Sequence, residues 1–125
     1  MKIFSVEEAN SLLPSVRALV RKIQKSHAAL TSEQEQAKRA SDAADSGGGG
    51  IANGVAYATN LMNMTTLVAE LEALGVQLKD FSRGLIDFPS LRDGRVVLLC
   101  WQLGEGDRLE WWHDVDAGFA GRTPL

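Results

Sequence analysis

A stripe of mostly apolar or small residues recurs at Val16, Leu19, Val20, Ile23, His27, Leu30, Gln34, Ala37, Ser41 and Ala44. Its steps of three and four trace one face of a helix. The stripe begins with large aliphatics and fades to alanine and serine, so its far end packs thinly. A second stripe runs through Val55, Ala58, Leu61, Met62, Thr65, Val68, Leu71 and Leu74, and Gly75 supplies a left-handed stop. Gly47 to Gly50 separate the two as a flexible turn. This predicts an antiparallel helical hairpin with arms on the order of 40 Å long. Ser5-Val-Glu-Glu8 has the spacing of a capping box, with Phe4 placed to close over the first turn. Pro14 follows too soon for one smooth helix, because its ring clashes with the turn before it. The expectation is a short helix through about Leu12, a break, and a second helix starting near Pro14.

From Val76 the period changes. Val76-Gln-Leu-Lys-Asp80 alternates, Gly84 turns the chain into Leu85-Ile-Asp-Phe88, and Arg92-Asp-Gly-Arg95 holds the Asp-Gly pair of tight hairpins. Arg95 to Trp101 is nearly continuous apolar strand, Gly104-Glu-Gly-Asp107 turns again, and Arg108 to His113 returns. Three successive turns predict a four-stranded antiparallel meander. Within the third strand Val96, Leu98 and Cys100 share one face, and Val97, Leu99 and Trp101 share the other. Both faces need cover. The hairpin can cover one; the other falls to the C-terminal tail, the N-terminal segment or a second copy of the chain. Together with the uncovered length of the hairpin, this demand predicts a homodimer. The fold class is α+β, a long antiparallel helical hairpin packed on a four-stranded antiparallel β-meander. It forms one domain over 1–125, with 1–75 helical and 76–125 sheet and tail.

Bulk composition narrows the function classes. A chain of 125 residues with 45% hydrophobic and 23% charged residues is an ordinary globular domain. A net charge of −3 and a pI near 5.3 argue against nucleic acid as a partner. The cluster Arg17, Arg21, Lys22 and Lys25 reads as a solvated helix face. One cysteine cannot form an intrachain disulfide, which fits a reducing cytoplasm. No apolar run approaches the roughly 18–20 residues needed to span a bilayer, so no membrane partner is expected. Met-Lys-Ile-Phe leads into an amphipathic helix rather than a signal peptide. The four glycines lack the Gly-Lys-Ser/Thr ending of a phosphate loop.

Candidate chemistry gathers after Val76. Asp87 interrupts an apolar strand, so it needs a partner such as Arg83, Arg95 or a backbone amide, or else it serves as a base or ligand in a pocket. His113 closes the last strand beside Asp114 and Asp116, which suits acid–base work or anion binding and equally suits a turn cap. Gly118-Phe-Ala-Gly121 before Arg122 is either an anion clamp or a tail that folds back as a packing arm. Trp101, Trp111 and Trp112 offer aromatic walls. His27 lies on the helix stripe as a core or interface residue. Cys100 reads as a small core hydrophobe without an activating base. A zinc site lacks its usual ligand spacing, and oxygen-rich coordination of a harder metal by Asp87, Asp114 and Asp116 stays open without being assigned.

Phe4-Ser-Val-Glu-Glu-Ala-Asn-Ser-Leu-Leu-Pro14, Arg83-Gly-Leu-Ile-Asp-Phe-Pro89, Arg92-Asp-Gly-Arg95, Leu99-Cys-Trp101, Gly104-Glu105, Trp112-His113 and Ala117-Gly-Phe-Ala-Gly-Arg122 together resemble the prokaryotic DUF2203 family. The resemblance spans essentially the whole chain. It implies a small cytoplasmic bacterial or archaeal protein and brings no activity, substrate or cofactor. Arg83, Asp87, Glu105, His113 and Arg122 fall on its motif positions. The functional expectation is a non-enzymatic binding module with a pocket formed by Arg83, Asp87, Trp101, Glu105, Trp112, His113 and Arg122, taking a small anionic ligand. No metal or catalytic residue is assigned and the cofactor is unknown. Two alternatives stay open: an acid–base or metal-assisted hydrolase-like enzyme using Asp87, Glu105 and His113, and an assembly protein docking through the hairpin.

Overall fold

The computed structural model describes residues 1–44 and 54–125. The expected turn at Gly47 to Gly50 lies outside the described residues. Helix α1 spans Val6–Ala44 and α2 spans Gly54–Ala73. Five strands follow: β1 Gln77–Asp80, β2 Leu85–Arg92, β3 Arg95–Gln102, β4 Trp111–Asp114 and β5 Thr123–Pro124. They pair in chain order as one antiparallel sheet, so the class is α+β with one strand more than expected. The added strand is only two residues long and contains a proline. Such a piece carries no alternation to read, and it forms because Gly118, at φ 65°, helps return the tail to Trp111 and Trp112.

The start of α1 follows the capping box. Glu8 N–H donates to Ser5 Oγ at 3.0 Å, and Ser5 N–H donates to Glu8 Oε1 at 3.2 Å. The break expected at Pro14 does not occur. The helix runs through it for 39 residues, about 58 Å at 1.5 Å rise, against about 30 Å for the 20 residues of α2. Pro14 itself is exposed, so its ring does not intrude on the packed side of the helix. Meanwhile Ala9, Leu13, Val16, Val20 and Ile23 are buried on the other side and keep both halves on one axis. Asn60 to Glu33 at 2.7 Å and Gln34 to Tyr57 at 3.1 Å tie the helices antiparallel farther out.

The core lies between this hairpin and one face of the sheet. Ile86, Phe88, Leu99 and Trp101 meet Leu13, Val16, Val20, Ile23 and Leu71 there, and Phe4 closes the end edge-on against Phe88. Two long-range tethers fix the first turns of α1 to the sheet. Phe4 N–H donates to the Pro89 carbonyl at 2.7 Å while Ser90 Oγ donates to the Phe4 carbonyl, and Leu109 N–H donates to Asn10 Oδ1 at 2.7 Å. Gly84, at φ 62°, turns the chain against the core; a Cβ there would meet Val20 Cγ1 at 2.9 Å and Leu103 Cβ at 2.8 Å. Among the described residues no helix is long and apolar enough to cross a membrane. Truncation of Phe88, which is 0% exposed, should lower unfolding free energy in urea by about 3–5 kcal/mol for Phe88→Ala.

Candidate functional site

The Asp93-Gly94 turn decides which polar residues meet. With both residues at positive φ, 53° and 78°, it closes a two-residue loop and pairs Arg92 with Arg95. Counting back along that register sets Asp87 opposite Cys100. Leu103 N–H donates to the Gly84 carbonyl, and the alternation of the ladder then makes Asp87 and Cys100 a non-hydrogen-bonded pair, the kind whose side chains stand closest. On the other side of β3, Cys100 pairs with Trp111 and Leu98 with His113. Asp87, Cys100, Trp111 and His113 therefore share the sheet face turned away from the helices.

On that face the His113 ring reaches across β3 to Asp87 on β2. Its Nε2 lies 3.1 Å from Asp87 Oδ1, with the two side chains 3% and 2% exposed. Its Nδ1 lies 2.7 Å from the Asp114 carbonyl oxygen, which only accepts, so Nδ1 carries the proton and Nε2 is the nitrogen turned inward. The contact between Nε2 and Oδ1 then needs one further proton, on the imidazole or on the carboxyl. Burial raises the carboxyl of Asp87 above its ordinary range, partly offset by His113 and Lys79. The Cys100 thiol is pushed up to about 12 by burial and by the Asp87 charge, against the opposing pull of Arg122. The ligand atoms of Asp87, Cys100 and His113 all lie within 4.8 Å of one another. Cys100 is small enough to leave the room over β3 that the His113–Asp87 contact occupies.

A second polar group caps this face. Arg122 Nη1 donates to both oxygens of Glu105, at 3.0 and 2.9 Å, and Glu105 Oε1 also accepts the Gln102 N–H at 2.7 Å. The Arg122 guanidinium lies 4.9 Å from the Trp111 ring centre and 4.0 Å from that of Phe119. Arg83 rests on the same Phe119 ring at 4.3 Å and donates to Gln102 Oε1. The sequence candidates thus fall in three places. Asp87 and His113 meet directly. Arg83, Glu105 and Arg122 gather around Phe119. Trp101 and Trp112 lie on the helix side, Trp101 buried with its indole N–H donating to the Gly106 carbonyl and Trp112 under the guanidinium of Arg92. Asp114 pairs with Arg95 at the surface, and His27 stacks half-buried on Phe81.

The family model described as "Uncharacterized conserved protein (DUF2203)" matches residues 2–125. The chain belongs to the DUF2203 family. No curated protein and no solved structure matches it. The chemistry of this DUF2203 chain therefore has to be read from its own residues. The residue that the sequence reading left out of the site is Cys100, taken there as plain core. The signal that places it is arithmetic: a two-residue turn at Asp93-Gly94 pairs positions summing to 187, and 87 pairs with 100.

This buried arrangement carries a stability cost with a definite sign. The Asp87 carboxyl titrates higher folded than unfolded, so the stability it contributes is present at acid pH and is lost as pH rises through its folded value. Asp87→Asn keeps the contact to His113 without the buried charge. In chelator, calorimetry should find the variant more stable than wild type by about 1 kcal/mol at pH 7, with the gain shrinking or reversing toward pH 4.

Proposed function

We propose that this chain is a transition-metal-binding protein, with Asp87, Cys100 and His113 as ligands of a single ion of the zinc class. The observation that carries the reading is the convergence of one oxygen, one sulfur and one nitrogen donor from three adjacent strands within 4.8 Å. The donor types select the ion. Thiolate and imidazole suit zinc and its neighbours, whereas magnesium and calcium demand oxygen. The hydrogen bond from His113 Nδ1 to the Asp114 carbonyl is the outer support that metal-ligating histidines use to fix their tautomer and aim Nε2. An ion entering here replaces the proton shared by His113 and Asp87 and the thiol proton of Cys100. The donors of a tetrahedral zinc site stand about 3.5 Å apart, so His113 and Asp87 need only part slightly from 3.1 Å.

Burial argues for binding over acid–base catalysis. A general base must touch the proton it removes from a substrate, and Asp87 and His113 are both sealed from solvent. A bare ion has no such size requirement. The test is metal content. Purified protein dialysed against Zn²⁺ should hold close to one ion per chain by mass spectrometry, and both Cys100→Ala and His113→Asn should lose it while keeping the native circular dichroism spectrum. Undiminished zinc in both variants would exclude these ligands.

Self-association is a second proposal, carried by a different observation. Val55, Leu61 and Met62 are exposed on α2, whose first sixteen residues bear no charge. Large apolar side chains along an uncharged helix face suit isologous contact with a second copy. Sedimentation equilibrium should show a dimer that Met62→Glu weakens; a wild-type monomer at all concentrations excludes it.

A further inference from the structure

On the helix side of the sheet a cleft of about 540 Å³ opens between α1 and the β1–β2 turn. Arg21, Gln24, Lys25, His27 and Thr31 line it from the helix, and Ser82 lines it from the turn. It is separate from Asp87, Cys100 and His113, whose face turns away from the helices. Its walls are fixed. Gln24 Nε2 donates to the Ser82 carbonyl at 2.7 Å, which holds the turn against the helix. The His27 ring stacks on Phe81, with centres 5.5 Å apart and planes 24° from parallel.

The positive charge in this cleft has no protein partner. Arg17, one turn back on the helix, pairs with Asp107. Arg21 and Lys25 pair with no carboxylate among the described residues. The nearby acids are engaged elsewhere. Asp80 accepts from Ser82 Oγ and from the Arg83 N–H within its own turn. Glu35 lies about 15 Å farther along the helix than Lys25 and pairs with Arg39. Standing four residues apart, Arg21 and Lys25 share one helix face and repel each other at a cost to the helix. An anion between them removes that repulsion. A phosphate monoester carries nearly two negative charges at neutral pH, against one for a carboxylate, and so matches the pair. The cleft falls within the size range of small-molecule sites, larger than a phosphate group alone requires. Ala28 and the His27 ring, beside the two cations, offer less polar surface to the rest of such a molecule.

We propose that this cleft binds a small phosphate monoester, with Arg21 and Lys25 on the phosphate and Ala28 and the His27 ring against the organic part. The inference is independent of the metal-binding reading above. Because the chain has two histidines, proton NMR of the full chain gives a reporter in the cleft and a control outside it. The His27 ring signal is identified by its loss in His27→Gln. Phenyl phosphate, added at constant pH and ionic strength, should move that signal saturably and leave the His113 signal in place. Benzoate, with the same ring and a single charge, should bind more weakly. Arg21→Gln and Lys25→Gln should each weaken phenyl phosphate about tenfold. Both positions are exposed and glutamine is a good helix former, so these variants keep the fold. Lys22→Gln removes the same charge from an adjacent position outside the cleft and should leave the affinity near the wild-type value. A His27 signal indifferent to phenyl phosphate overturns the site. Benzoate binding as tightly as phenyl phosphate overturns the phosphate assignment. Equal losses in all three charge variants reduce the response to the general field of the helix, which also overturns the proposal.

Discussion

Strand β3 has no side that water tolerates, and the rest of the fold answers that constraint. Val97, Leu99 and Trp101 point one way and Leu98 and Cys100 the other, and all five are buried. The helices meet the first demand with large aliphatics from α1 and α2. The second is met by a far thinner layer, which includes the returning C-terminal segment, where Arg122 lies against the rings of Trp111 and Phe119. Three layers result, of very unequal thickness. The thick one supplies stability; the thin one holds the unusual chemistry.

That inequality explains why a carboxylate, an imidazole and a thiol share the thinly covered face. Burying such groups costs stability unless they satisfy one another, and the helices present mainly aliphatic side chains to the other face. On the outer face His113 and Asp87 meet each other, the Asp114 carbonyl takes the remaining imidazole nitrogen, and the Arg122–Glu105 pair closes over Trp111. The three groups thus sit among partners of their own kind, one from each of three adjacent strands.

Much of the architecture was legible because local signals and tertiary demands agree. Ser5 and Glu8 reciprocate as a cap, Gly75 stops α2, and Asp93-Gly94 closes the central hairpin. The break expected at Pro14 is overridden by tertiary packing: Pro14 is exposed, and the buried residues Ala9, Leu13, Val16, Val20 and Ile23 carry the helix through it. Strand β5 was hidden by its shortness. Within the site, parity alone puts Trp101 and Trp112 on the helix side, away from His113, yet proximity in sequence made them look like neighbours of the polar residues. Cys100 was hidden for the opposite reason: its hydrophobic surroundings in sequence mask the fact that cross-strand neighbours, not flanking residues, form its environment.

The tethers at the start of α1 bear on how the chain assembles. Phe4 and Asn10 are secured by Pro89, Ser90 and Leu109, partners 80 to 100 positions downstream. Contacts between α1 and α2, and between successive strands, close over shorter spans of chain. During synthesis the hairpin can therefore collapse early, but the first turns of α1 wait until most of the sheet has left the ribosome. The oldest part of the polypeptide is among the last to be locked.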